Sequence, residues 1–366
     1  MLGDRMVQLG GQLNGRLAES QVFGGYTNLS GRINWAAGFS QNPFYFYAPS
    51  SIGTQATAGG PSSLVFTTRI RRLVTDDVFG VAFYPFTRFS RAELSLHFVG
   101  VNDATLSQQQ YFSTSGNYLS QRNLGTVTNA SVAYMAPSIA LVHDKALNGF
   151  VGPFAGRRTR FQVDQAIGGW KFTGVLGDVR QYLFARPFTL ALRGVIYGRF
   201  GRDGGQFPVF LGDPGLIRGY TANSMINHEC YGRVSDYSRL YGGSRTGSTG
   251  CGDLDQLMGA RIAVGNVELR FPLTQSLRLG ILPIALPPIE MAVFYDAGLA
   301  WQNGSQLKWK RQAGDDFVAV RAPLQSWGAS IRMNLLGAAV LRFEYAQPLT
   351  RTYDQGYWTV SFGPTF

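Results

Sequence analysis

Charge is scarce in this chain. Only 15% of its 366 residues are Asp, Glu, Lys or Arg, against ~25% in an ordinary soluble domain. Disordered chains are charge-rich and poor in aromatics. Here 13% of residues are aromatic, so disorder is excluded. Lysine is almost missing: of 33 basic residues only Lys145, Lys171, Lys308 and Lys310 are lysines. There are two cysteines, Cys230 and Cys251, and their placement matches no zinc pattern. Long apolar runs are also lacking. The longest nearly uncharged stretch, 279–294, is broken by Pro283, Pro287 and Pro288, whereas a membrane-spanning helix needs ~20 consecutive apolar residues. No basic and apolar leader opens the chain. Met1 to Gln8 leads straight into a strand-like pattern, so the sequence reads as part of a longer exported chain or as one with a misplaced start.

Glycine, by contrast, is abundant, with 46 residues and no collagen-like period. Net charge is +11, but the arginines are scattered rather than gathered on one stripe, which argues against a nucleic-acid partner. Mean hydropathy is −0.04, high for so few charges without any apolar run. Period-two alternation explains it. Val267, Leu269 and Phe271 share one face while Asn266, Glu268 and Arg270 share the other. Val293 and Tyr295 likewise oppose Phe294, Asp296 and Gly298, and Leu341, Phe343 and Tyr345 oppose Arg342 and Glu344. The pattern predicts fourteen strands, near 4–14, 22–29, 32–40, 64–84, 89–100, 128–143, 157–168, 171–186 and 188–200, then five within 260–366. Between them, 84–88 and 185–187 read as tight turns, and 41–62, 101–127 and 201–259 as long polar loops. A soluble sandwich would bury the apolar face and wet the charged one. Both charge signs, much Gly and almost no Lys suit instead the lumen of a transmembrane antiparallel β-barrel, with short turns at one end and long loops at the other.

Three motifs are more specific than periodicity. Gly215-Leu216-Ile217-Arg218-Gly219-Tyr220 lies in the longest loop, Phe294-Tyr295-Asp296-Ala297-Gly298 on a strand, and Phe362-Gly363-Pro364-Thr365-Phe366 at the chain end. In this order, with five strands after the loop, the chain resembles the BamA/TamA outer-membrane barrel superfamily, or bacterial surface antigen family. The resemblance implies a sixteen-stranded barrel in the outer membrane of a Gram-negative-type bacterium. It also implies a lumen lock of Arg218, Gly219, Tyr220, Glu268, Asp296 and Gly298, and a C-terminal strand signal of Trp358, Phe362 and Phe366. Two N-terminal strands of that pattern have no counterpart, so either fourteen strands close the barrel or a sixteen-stranded one has lost its start. The Leu2-Gly3-Asp4 opening and the loop cysteines resemble barrels fused behind a periplasmic β-propeller, and no such upstream periplasmic domain is in this chain.

The residues give Arg218 two readings. If loop 201–259 folds into the lumen, Arg218 is desolvated and needs an anion, and Glu268 and Asp296 point inward by alternation. Otherwise it is a loop-tip arginine in water. Nothing converges as a catalytic site. His97, His143 and His228 are far apart, and neither a phosphate loop nor metal-ligand spacing is present. One barrel domain over 1–366, without cofactor or enzymatic activity, is therefore expected. The resemblance implies outer-membrane lipid as surroundings and unfolded outer-membrane or secreted proteins as substrates. The alternative is a passive anchor or pore for the absent periplasmic domain. Cys230 and Cys251, with twenty residues between them in a Gly-rich stretch, are expected to form a disulfide offsetting about 3 kcal/mol of loop entropy. Thiol labelling of unreduced protein should find no free cysteine, and two labelled thiols would disprove the bond.

Overall fold

A computed structural model describes residues 4–12, 20–55, 62–206, 208–221, 224, 252–274, 287–312, 314–316, 319–335, 339–351 and 355–362. Among these, fourteen antiparallel strands follow one another in chain order through a single sheet. They are β1 (Arg5–Gln12), β2 (Gln21–Asn28), β3 (Asn34–Gln55), β4 (Ser63–Pro85), β5 (Ser90–Ser113), β6 (Tyr118–Asp144) and β7 (Pro153–Gly168). The second half holds β8 (Phe172–Ala185), β9 (Phe188–Phe200), β10 (Arg261–Thr274), β11 (Ile289–Trp301), β12 (Leu324–Leu335), β13 (Ala339–Pro348) and β14 (Tyr357–Phe362). Among the described residues no ladder joins β1 to β14. No described helix is long and apolar enough to cross a membrane, and the chain crosses with strands instead.

The two faces separate as the alternation predicts. Leu94, Phe98, Leu141, Phe161, Val179, Ile196, Val267, Val293, Trp327 and Trp358 are exposed on the outer, lipid-facing side. Glu93, Asn266, Glu268, Arg270, Asp296, Ser330, Arg332 and Glu344 are buried on the inner side. A water-soluble protein would have the opposite polarity; lipid outside and a polar lumen require this one. Inner carboxylates pair with arginines two residues along their own strand and with arginines one or two strands away. Asp178 accepts from both Arg180 and Arg193, at 2.7 and 3.0 Å. Glu93 accepts from Arg91 at 2.7 Å and from Arg160 at 2.6 Å.

The structure corrects two of the loops. Segments 41–62 and 101–127 are largely strand: β3 to β6 run for 22, 23, 24 and 27 residues. About 10 residues suffice to cross a bilayer, so these hairpins rise well beyond it. There the outer face no longer meets lipid, so the backbone ladder continues while the apolar alternation that reveals it stops. Polar cross-strand pairs support the extension. Arg71 holds Asp103 with a fork of bonds at 2.9 and 2.6 Å, and Asn129 donates to the same carboxylate at 3.1 Å. Within 101–127 only 114–117 is a turn, with the Asn117 carbonyl accepting from the Ser113 amide at 2.8 Å.

Lipid on the outer face yields a direct check. Leu94→Arg places a charge against acyl chains and should cost about 2–4 kcal/mol near the bilayer midplane. Equilibrium unfolding in lipid vesicles measures this, and an unchanged midpoint would contradict the assignment of that face.

Candidate functional site

Between β9 and β10 the described residues 208–221 and 252–260 leave the wall and pack inside the barrel. Although expected to be polar, this segment has an apolar core. Leu211, Ile217, Leu254, Leu257 and Met258 are buried against Val195, Ile262, Val264, Ala300 and Leu324 of the wall. A short helix, α1 (Gly252–Gln256), and a two-residue ladder between 209–210 and 258–259 give the plug internal order. Gln256 donates to the Val320 carbonyl at 3.0 Å, and Arg193 donates to the Gly215 carbonyl at 2.5 Å.

Arg218 belongs to this plug and is 4% exposed. Its Nε and Nη2 donate to the two oxygens of Asp296, each at 2.6 Å, and its own backbone amide donates to Asp296 Oδ2 at 3.1 Å. Nη1 donates to Glu268 at 2.5 Å and lies 3.3 Å from Glu344. The guanidinium carbon sits 3.4 Å from the Phe294 ring centroid, a cation–π contact within a desolvated pocket. Planar fork geometry makes this possible, since one guanidinium satisfies carboxylates from three strands at once.

The neighbouring residues fit the same approach. Gly219 has φ +87°, and a Cβ there would meet Ser326 Cβ at 3.3 Å, so only glycine turns the chain this close to the wall. Gly298 lies opposite Leu211, whose side chain a Cβ would meet at 3.1 Å. The Tyr220 hydroxyl donates to the Gln325 carbonyl at 2.7 Å, and Thr350 Oγ1 is 2.8 Å away. Burial pushes that hydroxyl up to about 12, so it stays protonated and able to donate. Arg351 donates to the Gly219 carbonyl at 2.9 Å.

Thus the structure brings Arg218, Gly219, Tyr220, Glu268, Asp296 and Gly298 together. Trp358 is apart from them, exposed on the outer face of β14. Cys230, Cys251, His228 and Phe366 lie outside the described residues, as does the side chain of Phe362. His97 pairs with Asp77 at 2.8 Å, and His143 lies 2.8 Å from Ser90 Oγ, far apart along the wall. Sequence reasoning missed several members. Glu344, Arg332 and Arg270 complete the cluster, with Arg332 and Arg270 each donating to Glu268 at 2.8 Å. Asn266 donates to Asp296 at 2.9 Å and to the Leu216 carbonyl at 2.8 Å. Alternation places Asn266, Arg270 and Glu344 on the polar face, but it assigns a face and not a height in the barrel. Removing one side of a buried pair strands the other. Arg218→Ala should therefore cost about 3–5 kcal/mol, with Arg218→Lys recovering part of the loss. Unfolding in detergent micelles would check this, and a wild-type midpoint for Arg218→Ala would show that the pairing contributes nothing.

The crystal structure of BamA from Haemophilus ducreyi lacking POTRA domains 1–3 is similar in fold, with a TM-score of 0.53 and 14% identity. The match covers 98% of this chain and 70% of that one. No curated protein is significantly similar to the chain in sequence. The profile of the Omp85 superfamily domain matches residues 99–365, from within β5 through the plug to the chain end. An all-antiparallel sheet with lipid-facing apolar residues, a charged lumen and that match together show that the chain belongs to the Omp85 superfamily and is a β-barrel of the outer membrane of a Gram-negative-type bacterium.

Proposed function

We propose that the barrel inserts or translocates outer-membrane or secreted proteins, with the plug held in its lumen by a lock of Arg218, Gly219, Tyr220, Glu268, Asp296 and Gly298. The observation that carries this reading is the buried Arg218 guanidinium, shared among Asp296, Glu268 and Glu344. A barrel serving only as an anchor has no need to hold a loop at one position by desolvated charge. A machine that passes chain segments along its wall or lumen does, because the plug must return to one register after each event. Unfolded polypeptide is the substrate class. An upstream periplasmic domain is the partner that would deliver it, and Trp358, Phe362 and Phe366 form the terminal strand signal. None of these roles is catalytic.

Reconstitution tests the proposal. The full chain in vesicles of outer-membrane lipid should speed the folding of a urea-denatured outer-membrane barrel well above the empty-vesicle rate. Arg218→Ala should lose most of that gain while still inserting. Folding at the empty-vesicle rate, with ion conductance present, would instead mean a passive pore or anchor.

A further inference from the structure

The turn between β6 and β7, residues 145–152, lies at the end of the barrel with the short turns, which faces the periplasm. It does not simply reverse direction. Leu147 and Asn148 pair with Ala155 and Pro153, and the Gly149 amide donates to the Gly152 carbonyl at 2.8 Å. The Ala146 amide donates to Asp144 at 3.1 Å, and the Lys145 amide to the Arg157 carbonyl at 2.8 Å. The turn is therefore a small closed structure with its own fixed shape.

Its contacts are with distant strands. Asn334 of β12 donates its side-chain amide to the Phe150 carbonyl, and Arg270 of β10 donates to the Pro153 carbonyl at 3.0 Å. Along the sheet, β12 is five strand steps from β7, roughly 24 Å at ~4.8 Å per step. Phe150 is three positions from the start of β7 at Pro153, a reach of at most ~11 Å. The contact is possible only if the wall curls and the turn crosses the interior as a chord. Val151 is correspondingly buried, at 8% exposure. Val340 of β13 joins Arg158, Arg180 and Tyr182 in lining a cavity of about 350 Å³ beside the crossing.

We propose that residues 145–153 form a strap across the periplasmic mouth of the lumen, a second barrier to small solutes distinct from the plug. Its tether runs to the same cluster that holds Arg218: Arg270 Nε donates to Glu268 while Arg270 Nη1 donates to the strap. One column of bonds thus descends from Asp296 through Arg218, Glu268 and Arg270 to the Pro153 carbonyl. The strap is held by backbone carbonyls, so it can detach without leaving a charge unpaired, and Asn334 and Arg270 regain water when it does.

The test separates the strap from the plug and from any client protein. In planar bilayers, a barrel with residues 203–258 replaced by a short Gly/Ser linker should conduct several-fold less with the strap intact than with 147–152 also replaced by two glycines. Equal conductance of the two would overturn the proposal. If the plug-less barrel does not fold, the otherwise intact chain decides. A short bis-maleimide should join Phe150→Cys to Asn334→Cys within one chain, read as a linked peptide pair by mass spectrometry. The wild type serves as control for Cys230 and Cys251, and absence of that linked pair overturns the proposal.

Discussion

A desolvated guanidinium sets the arrangement of the lumen. Arg218 cannot lose its proton, so once inside the barrel it must be surrounded by anions. Those anions repel one another and require further cations. The result is a cluster in which Arg218, Arg270, Arg332 and Arg342 face Glu268, Glu290, Asp296 and Glu344. Among the described residues these four arginines and four carboxylates balance only with Arg218 present. The plug therefore completes this part of the wall electrostatically. Buried pairs of this kind contribute little net stability, because desolvation offsets most of the attraction. They contribute position, since a plug shifted by a few ångströms would strand several charges at once.

The scarcity of lysine has the same origin. Lumen carboxylates lie on strands about 4.8 Å apart, and a guanidinium spans that gap with several fixed donors, whereas an ammonium presents a single point charge. Asp103, Asp178 and Glu268 are each gripped at two oxygens or by two arginines. Lys308, by contrast, is outside the barrel wall in the 302–323 connection, where it holds Asp315 at 2.6 Å. Water-exposed loops tolerate lysine, and the packed lumen selects arginine.

What could be read in the sequence follows from which forces leave a period-two signature. Strands facing lipid on one side and the lumen on the other, such as β10 and β11, alternate cleanly, and Glu268 and Asp296 could be placed inward from that alone. The membrane-distal parts of β3 to β6 leave no such signature, because no lipid selects apolar residues on their outer face; the ladder there is held by backbone bonds and pairs such as Arg71 with Asp103. Glu344 was visible as an inward residue but not as a partner of Arg218. Its height depends on the stagger between strands, in which Glu344 pairs with Ser330 and Asp296 with Ser326 and Asn266. The strap was invisible for a different reason. It is recognised through the carbonyls of Phe150 and Pro153, which every residue type possesses.

The plug is held by two kinds of force with separate roles. Its apolar residues rest on a patch of wall, Val195, Ile262, Val264, Ala300 and Leu324, unlike the polar lumen around it. Each fully buried Leu or Ile side chain is worth about 1.5–3 kcal/mol. Leu211, Ile217, Leu254 and Leu257 together therefore outweigh any net gain from the ion pairs. This burial is non-directional, so it retains the plug without specifying its orientation. The fork from Arg218 to Asp296 is directional and nearly balanced in free energy. Breaking it costs far less than extracting the plug, provided water reaches the separated charges. The low-cost motion of such an assembly is consequently a tilt or slide of the plug on its apolar patch with Arg218 unpaired, and departure of the whole loop from the lumen is the high-cost one.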